Sequence, residues 1–527
     1  MVLTTLLLFL SVSPLVKPEM FTALVHMEKS IHAEKRLAKE IRSYVTKERE
    51  RLNELERIAN EYESHAESAM GDMHATLANP VSAFLLVKRF TTDWNDVLNK
   101  YMTPNNTNQF IASLPQLTEG FPSPEDLDGA AVALLRLQDT YVLPTDKVAK
   151  GEIKGVRYSP KMTAQDCFQL GKVAYSQGDY YHTMLWMKEA LTILENETSK
   201  TIEKPIILDY LAYSTYMQGN WIHALNLTKE WLNEEPNHVR AQSNHDYYSK
   251  LIREAKENGK KDEELDVVNN PRQLDEYRQS EEFAKYEALC RGEETQVYPL
   301  AHKLTCQYKR HHPYFILRPL KEEIMYFDPW IAIYHDLMTE SEVKRIQEMA
   351  GPRLHRSGVF VTEDNKSPTT NYRTSQSAWL SDNDDPLIRA FSGKIHLMSN
   401  LTLPTAEHLQ VVNYGIGGHY EPHFDFARKR EINTFESWRG NRIATVIFYM
   451  TDVEAGGVTA FPNLGVKLYP EARSCAVWYN LMKSTEGDYR TRHAGCPVLT
   501  GSKWVANKWI HERGQEFTRP CSLKPEE

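Results

Sequence analysis

The sequence predicts a multidomain α + β protein, with helices in its N-terminal half and a jelly roll at its C-terminus. A chain of 527 residues is too long for one hydrophobic core, which indicates roughly three or four domains. Three patterns predict their type: a long amphipathic helix, a repeated helix pair, and strand-like runs separated by glycine and proline turns. The net charge is −9 and no arginine-rich stripe occurs, so we expect no nucleic-acid partner.

Residues 1–17 are predicted to be a secretory signal peptide. Residues 2–10 form an apolar run that is too short to span a bilayer, and small residues follow it. We therefore expect no membrane span and a secretory route. Five Asn-x-Ser/Thr sequons fit that route, and they begin at Asn105, Asn196, Asn226, Asn365 and Asn400.

Residues 18–160 are predicted to be a helical dimerisation region with a linker. Apolar residues between Ile31 and Tyr62 recur mostly at three- and four-residue steps among Glu, Lys and Arg, as in an amphipathic helix. Spacings near a heptad favour coiled-coil self-association. Glu48 interrupts the apolar seam, and packing onto the same subunit is the alternative.

Residues 161–255 are predicted to form tetratricopeptide-like helix pairs. Residues 174–182 and 215–223 place a glycine and then an aromatic residue at matching offsets, which indicates an internal repeat. The offset exceeds the usual repeat length because residues 196–205 form a long connecting loop.

A tyrosine stripe lies in the second helix pair. Tyr210, Tyr213 and Tyr216 are three residues apart and share one side of a helix. Such a stripe is more often part of a core. With Tyr175 and Tyr247 on neighbouring helices, it also suits a groove for a proline-rich peptide in the polyproline II conformation.

Residues 256–325 read as a charged linker that contains two cysteines, and residues 256–282 within it suggest no chemistry. Residues 326–527 are predicted to be the catalytic domain. One helix is expected at 339–349, followed by strands at 409–412, 442–450, 475–481 and 504–511. Their spacing, with Gly-Gly and proline turns, predicts a double-stranded β-helix.

A candidate metal site lies in this last domain. His423 and Asp425 are two residues apart in a strand-like segment, so their side chains share one face. A neutral imidazole and a hard carboxylate suit Fe(II), and His493 is the best third ligand, completing a facial triad with open positions. His419 is the rival ligand, but four extended residues would hold it roughly 13 Å from His423.

Lys503 follows a predicted turn at 500–502. The turn would return the chain beside its own strand and bring a buried ammonium near the metal, where it could hold a dicarboxylate. A lysine usually lies on the surface, but apolar residues flank this one on both sides.

Three segments carry a resemblance to a known family: 413–426, 456–462 and 493–511. They resemble the collagen prolyl 4-hydroxylase alpha subunit, a 2-oxoglutarate and Fe(II) dioxygenase, and the similarity extends over nearly the whole chain. The resemblance implies hydroxylation of C4 of peptidyl proline in X-Pro-Gly repeats. The co-substrates would be 2-oxoglutarate and O2, the products succinate and CO2, and L-ascorbate would restore the iron.

The resemblance also implies residue roles. His423, Asp425 and His493 would bind iron, Lys503 the distal carboxylate of 2-oxoglutarate, and His511 would assist near C1 of that molecule. Tyr449 would add a hydrogen bond and Tyr414 would line the pocket. The implied groove tyrosines are Tyr175, Tyr210, Tyr213, Tyr216 and Tyr247, and the implied disulfides are Cys290 with Cys306 and Cys496 with Cys521.

The implied partners are protein disulfide isomerase, in an α2β2 tetramer, and proline-rich procollagen chains in the endoplasmic reticulum lumen. Two alternatives remain. A 2-oxoglutarate dioxygenase acting on another residue or a non-collagen substrate would keep the metal site. A non-enzymatic subunit that binds proline-rich peptides would have lost part of it, and the intact set of His423, Asp425, His493 and Lys503 argues against this reading.

Overall fold

The computed structural model describes residues 19–71, 89–102, 105–117, 122–157, 159–358, 372–431, 434–525 and 527. The predicted signal peptide and the sequon at Asn365 lie outside these residues. The chain forms two compact units: one comprises Val25–Ser123, and the other comprises Met1–Leu24 together with Pro124–Glu527. Within the described residues, no helix is both long and apolar enough to cross a membrane.

The smaller unit is built on helix α1, Leu24–Met70. It is rich in Glu, Lys, Arg and Ala and contains no glycine or proline, which explains its length. The unit also contains α2, Trp94–Val97, and α3, Asn105–Leu117.

Part of the apolar side of α1 is covered within its own unit. Tyr44 stacks on Phe110 of α3 with ring centroids 5.2 Å apart, and Tyr62 lies 6.5 Å from Trp94. Ile31 of the same stripe remains exposed. Packing onto the same subunit, the alternative to self-association, therefore accounts for part of the stripe.

The larger unit begins with a helical domain. Its elements are α4 (Pro124–Tyr141), α5 (Thr145–Ala149), β1 (Glu152–Ile153), β2 (Val156–Arg157), α6 (Ala164–Ser176), α7 (Tyr180–Asn196), α8 (Lys204–Met217), α9 (Trp221–Glu234), α10 (Val239–Glu257) and α11 (Asp262–Leu265).

Helices α6 to α10 pack in sequence as neighbouring pairs. The turns inside the first two pairs each contain a glycine with positive φ, Gly178 at 74° and Gly219 at 85°, a conformation that disfavours other residues. These are the glycines of the predicted repeat, so the helix-pair prediction is confirmed. The connection between the pairs is the loop at residues 197–203.

A linker and helix α12, Glu281–Cys290, lead into the C-terminal domain. Cys290 at the end of α12 forms a disulfide with Cys496, with Cα atoms 5.4 Å apart. Cys306 and Cys521 are exposed free cysteines. The predicted pairs, Cys290 with Cys306 and Cys496 with Cys521, are therefore wrong in this structure.

The physical reason is the packing of α12. This helix lies against the strands Thr459–Phe461 and Val466–Leu468, and the first of these pairs with the strand that immediately precedes Cys496. Cys306 instead begins a strand at the edge of another sheet. Tertiary packing thus brings together two cysteines that are 206 residues apart in sequence.

The described residues of the C-terminal domain are rich in strands and include two α-helices, α13 (Glu340–Ala350) and α14 (Pro386–Ser399). Its strands are β3 (Cys306–Lys309), β4 (Leu320–Tyr326), β5 (Ile331–His335), β6 (His355–Arg356), β7 (Ser375–Leu380), β8 (Leu409–Tyr414), β9 (Tyr420–His423), β10 (Arg442–Tyr449), β11 (Ala455–Gly456), β12 (Thr459–Phe461), β13 (Val466–Leu468), β14 (Cys475–Tyr479), β15 (His493–Gly495), β16 (Val498–Thr500) and β17 (Trp504–His511).

Two sheets enclose the site. One has nine strands in the order β3-β4-β5-β14-β10-β17-β8-β7-β6, and the other has four in the order β13-β12-β15-β9. Neighbouring strands are antiparallel, as the jelly-roll prediction requires. Side chains from both sheets share one core, with Tyr449 and Trp478 from the larger sheet and Phe461 from the smaller.

Candidate active site

Three side chains converge where β9 and β15 pair. His423 and His493 lie directly opposite each other in this antiparallel ladder, and Asp425 follows β9 by two residues. Asp425 Oδ1 is 3.6 Å from His423 Nε2, and its Oδ2 is 3.5 Å from His493 Nε2. The ligand atoms of all three residues lie within 4.8 Å of one another, close enough to bind one metal ion.

Backbone carbonyls orient both imidazole rings. His423 Nδ1 donates to the carbonyl oxygen of Glu421 at 2.8 Å, and His493 Nδ1 donates to that of Thr491 at 3.0 Å. Because Nδ1 carries the proton in each ring, the lone pair of Nε2 is directed toward Asp425. Asp425 Oδ2 in turn accepts a hydrogen bond of 2.6 Å from Thr445 Oγ1.

The electrostatics also suit a divalent metal. Burial lowers the pKa of His493 to about 4, so this ring is neutral at neutral pH. Burial raises the pKa of Asp425, but the two histidines more than offset this and hold it well below its usual range. Neutral imidazoles beside an ionised carboxylate are the ligands that Fe(II) requires.

His419 lies outside this cluster. It is buried and lines a separate cavity with His182 and Arg136. Across the parts of the chain that the structure describes, the group of His423, Asp425 and His493 is the one set of three or more such side chains close enough to bind an ion.

Lys503 is buried within the same domain, 1% exposed. Its Nζ donates to the carbonyl oxygen of Gly457 at 2.6 Å and lies 4.8 Å from the centre of the Tyr414 ring. Burial lowers its pKa to about 7, and no carboxylate of the described residues forms an ion pair with it. A buried cation without an acidic partner is costly, and the anionic group of a ligand would compensate it.

The two tyrosines proposed to line the pocket have different surroundings. Tyr414 is buried beneath the ammonium of Lys503. The Tyr449 hydroxyl donates to Thr459 Oγ1 at 2.7 Å, so its hydrogen bond to a co-substrate stays a prediction.

His511 belongs to a buried charged cluster. Its Nδ1 donates to the carbonyl oxygen of Gly440 at 2.6 Å, and its Nε2 lies 3.0 Å from Glu407 Oε1. Arg442 also pairs with Glu407, at 2.6 Å, and its Nη1 donates to the carbonyl oxygen of Asp425 at 3.3 Å. Burial raises the pKa of Glu407, but hydrogen bonds from His511 and Arg442 lower it to about 2.

Sequence reasoning missed Glu407 and left Arg442 without a role. No local motif distinguishes Glu407 from other surface glutamates in the sequence. Its importance follows from the pairing of β10 with β17, which places Arg442 opposite His511.

A cavity of about 920 Å³ opens beside the metal ligands. Jelly-roll residues such as Tyr420, Arg373 and Trp509 line it, together with linker residues Asp275 and Arg278. Part of the segment 256–282, which composition predicts to be a solvated helix or linker, therefore borders this cavity.

The five predicted groove tyrosines form one aromatic cluster in the helical domain. The Tyr175 ring lies 4.9 Å from that of Tyr210 and 5.7 Å from that of Tyr213. Tyr216 lies 6.1 Å from Tyr213 and 5.8 Å from Tyr247.

Two further tyrosines extend this cluster. Tyr180 lies 6.1 Å from Tyr213, and Tyr248 stacks on Tyr216 at 4.9 Å. Tyr180 follows the repeat glycine, which could have signalled it. Most of these rings are partly exposed, as the wall of a groove would be.

Three family models match this chain. Residues 23–155 match the N-terminal region of the prolyl 4-hydroxylase alpha subunit, residues 164–254 the prolyl 4-hydroxylase peptide-substrate-binding domain, and residues 409–511 the 2OG-Fe(II) oxygenase superfamily. The rat prolyl 4-hydroxylase subunit alpha-1 is 44% identical over 515 residues, which is 96% of each chain. The chain belongs to the prolyl 4-hydroxylase alpha-subunit family.

Other relatives agree. The human subunit alpha-1 is 43% identical over 97% of this chain and 96% of its own length. The Caenorhabditis elegans subunit alpha-2 is 45% identical over 96% of this chain and 94% of its own length. This member of the alpha-subunit family is an Fe(II)- and 2-oxoglutarate-dependent dioxygenase.

Proposed function

We propose that this chain is the catalytic subunit of a procollagen-proline 4-dioxygenase. It would hydroxylate C4 of proline in X-Pro-Gly repeats, consuming 2-oxoglutarate and O2 and releasing succinate and CO2. The observation that carries the proposal is that one compact unit contains the three-ligand cluster, the tyrosine cluster and the buried Lys503, which has no carboxylate partner among the described residues.

We assign His423, Asp425 and His493 as the ligands of Fe(II). The ion, when bound, would supply the activation of O2. The protein's part is to keep both Nε2 lone pairs and the Asp425 carboxylate directed at one point, which the hydrogen bonds to Glu421, Thr491 and Thr445 support.

We assign Lys503 to the distal carboxylate of 2-oxoglutarate. Its fixed ammonium would orient the dicarboxylate, and the burial of Lys503 would exclude water from the distal carboxylate. Tyr414 and Tyr449 would line this pocket, and His511 would assist at the other end of the molecule. Pairing one carboxylate of 2-oxoglutarate with this ammonium would also offset the cost of burying the lysine.

We assign residues 161–255 to binding of the proline-rich chain, through Tyr175, Tyr210, Tyr213, Tyr216 and Tyr247. A polyproline II helix is extended and has no internal hydrogen bonds, so flat aromatic rings can contact it over a long stretch. Residues 326–527 would form the catalytic domain, and residues 18–160 would serve dimerisation.

The remaining parts of the proposal concern the partner subunit, the cellular compartment and the reductant. Protein disulfide isomerase would be the partner in an α2β2 tetramer in the endoplasmic reticulum lumen, and L-ascorbate would restore the iron after turnover without peptide. The relatives are named as alpha subunits, which supports a second kind of subunit, and the apolar run at residues 2–10 supports the secretory route.

The test is hydroxylation of a Pro-Pro-Gly repeat peptide, read by mass, with the chain co-expressed with protein disulfide isomerase. We expect an Fe(II)- and 2-oxoglutarate-dependent mass gain that His423→Ala abolishes. Succinate release without modification of the peptide would retain the dioxygenase and overturn the substrate. Absence of both in an iron-loaded complex would overturn the proposal entirely.

A further inference from the structure

One wall of the active-site cavity comes from the linker that precedes the catalytic domain. Asp275, Tyr277 and Arg278 line the cavity together with Glu421 and Arg492, and Arg278 lies 3.9 Å from Glu421. These linker residues precede α12 by only a few positions. A peptide bound in this cavity would therefore lie near the linker.

The first half of the linker is attached to the helical repeats. The backbone N–H of Asn269 donates to Asn220 Oδ1 at 2.9 Å, and Asn220 Nδ2 donates back to the carbonyl oxygen of Asn269 at 2.5 Å. Gln218 Nε2 donates to Asn270 Oδ1 at 2.9 Å. Since Asn220 is 1% exposed, this attachment is part of the packed structure.

The second half of the linker is attached to both histidine-bearing strands. Arg278 lies 3.9 Å from Glu421, two residues before His423. Glu282, in the first turn of α12, lies 2.5 Å from Arg492, which immediately precedes His493. The linker thus has a defined position relative to the metal ligands.

The guanidinium of Arg278 has N–H donors that are available to a ligand. Its ion pairs with Asp275 and Glu421 measure 3.8 and 3.9 Å, which is too long for hydrogen bonds. Its side chain is 39% exposed, and within the described part of the chain it donates no side-chain hydrogen bond. Its backbone is fixed, because its N–H donates to Asp275 Oδ1 at 2.8 Å.

A proline-rich peptide has the complementary chemistry. Each Pro-Pro-Gly repeat carries carbonyl oxygens on all of its residues but an N–H on the glycine alone. In the polyproline II conformation these carbonyls are not used internally. A guanidinium, which only donates, is therefore well matched to a chain that mostly accepts.

We propose that Arg278 is a specificity-determining residue that donates hydrogen bonds to backbone carbonyl oxygens of the peptide beside the target proline. The inference rests on the proposed function and adds a third peptide-binding element, the linker, to the tyrosine cluster and the metal cavity. The Tyr277 ring, which lies 5.5 Å from that of Phe283, would contact the adjoining pyrrolidine ring.

The test compares steady-state kinetics of the wild-type complex and Arg278→Ala on a Pro-Pro-Gly repeat peptide. We expect KM for the peptide to rise about tenfold, as for loss of a hydrogen bond to a charged group, with kcat within about twofold of wild type. Arg278→Lys keeps a charged donor and should show a smaller rise, about threefold.

A matched control is Arg345→Ala. Arg345 is an exposed arginine of the same compact unit that pairs with Asp385 and does not line the cavity, so its replacement should leave KM unchanged. Conversion of 2-oxoglutarate to succinate without peptide should also be unchanged in Arg278→Ala, because Arg278 contacts the peptide and not the co-substrate.

Glu421→Gln separates a peptide contact from a structural effect. If Arg278 acted only by holding Glu421 beside His423, Glu421→Gln would reproduce the rise in KM and both variants would lose peptide-independent turnover. That result would overturn the inference, and so would an unchanged KM in Arg278→Ala.

Failure of this inference is distinguishable from failure of the proposed function. A wild-type complex that hydroxylates the peptide, with kinetics that Arg278→Ala does not alter, overturns the inference alone. A wild-type complex that hydroxylates no peptide overturns the proposed function, and the inference with it.

Discussion

The ammonium of Lys503 is held 2.6 Å from the carbonyl oxygen of Gly457. Gly457 has a φ of 67°, and a Cβ atom added to it would lie 3.3 Å from Lys503 Cδ. Because Gly457 has no side chain, the aliphatic part of Lys503 can pack against it, and the Gly457 carbonyl oxygen can accept the hydrogen bond from the ammonium. The resulting position is buried and without a carboxylate partner among the described residues, which is a site prepared for an anion.

This arrangement predicts opposite effects of Lys503→Met on stability and on activity. Without ligand, the variant should be more stable by about 1 kcal/mol or more, because it removes a buried charge that lacks an acidic partner. Its KM for 2-oxoglutarate should rise at least about tenfold, because the charge-assisted hydrogen bond is lost. Thermal melting with and without 2-oxoglutarate, and initial rates, measure both effects.

Lys508→Met is the matched control, since Lys508 is likewise buried but lies near the carboxylates of Asp382 and Glu407. Its KM for 2-oxoglutarate should equal that of wild type. If both variants lose 2-oxoglutarate affinity equally, the assignment of Lys503 is wrong.

The hydrogen bond from Thr445 to Asp425 predicts a role in metal affinity. Thr445→Val keeps the shape of the side chain but removes the donor that lies 2.6 Å from Asp425 Oδ2. We expect the Fe(II) concentration for half-maximal activity to rise about tenfold, as is usual when a hydrogen bond to a metal ligand is removed.

The control for this effect is Thr228→Val. Thr228 is equally buried, but its hydroxyl donates to the carbonyl oxygen of Ala224 in the helical domain. The Fe(II) dependence of this variant should match that of wild type, and an equal shift in both variants would refute the role of Thr445.

The tyrosine cluster predicts a length-dependent defect. Tyr213 contacts Tyr175, Tyr180 and Tyr216, so Tyr213→Ala should open the middle of the cluster. KM for a long Pro-Pro-Gly repeat peptide should rise about tenfold, since an aromatic contact of this size contributes on the order of 1 kcal/mol or more. A peptide too short to reach from the metal cavity to the helical domain should be hydroxylated as by wild type.

Tyr308→Ala serves as the comparison, because Tyr308 is exposed on β3 and belongs to neither cluster. Equal losses on the short and long peptides in Tyr213→Ala would show that the cluster supports folding and not peptide binding.

His182 predicts a dependence of stability on pH. It is buried between Asp139, at 3.1 Å, and Asp179, at 2.6 Å. Burial lowers the pKa of His182, but these carboxylates more than offset this and raise it from 6.5 to about 9. The folded state thus binds a proton more tightly than the unfolded state does.

The stabilisation should be complete below about pH 6.5 and lost as the pH rises toward 9, by at most about 3 kcal/mol. Melting of the helical domain, followed across this range, should show the decline in wild type and a flatter profile in His182→Gln. His245→Gln, at a surface pair with Asp246, should follow wild type. A wild-type profile that is flat over this range would contradict the prediction.

Local patterns were sufficient to predict much of the site. The two-residue spacing of His423 and Asp425 places both side chains on one face whatever the rest of the fold does. Lys503 was recognisable because apolar residues flank it, and the helix pairs because glycine and aromatic residues recur. Each of these signals depends on neighbours within a few positions along the chain.

Other features depend on contacts between distant segments. The partner of Cys290 is decided by how α12 packs against β12, and Glu407 acquires its role only when β10 and β17 bring Arg442 and His511 to it. Residues 256–282 suggested no chemistry because their composition is typical of a solvated segment. Composition reports how much apolar surface a segment can bury, and it does not report which cavity the segment borders.

The sequence by itself thus predicted the kinds of domain, the candidate metal-binding side chains and the buried lysine, because strand alternation and helix periodicity act locally. Only the tertiary structure decided the Cys290–Cys496 disulfide, the hydrogen bond from Thr445 to Asp425, and the position of Arg278 beside Glu421. These join residues that are separated by up to 206 positions, and no local periodicity relates such residues.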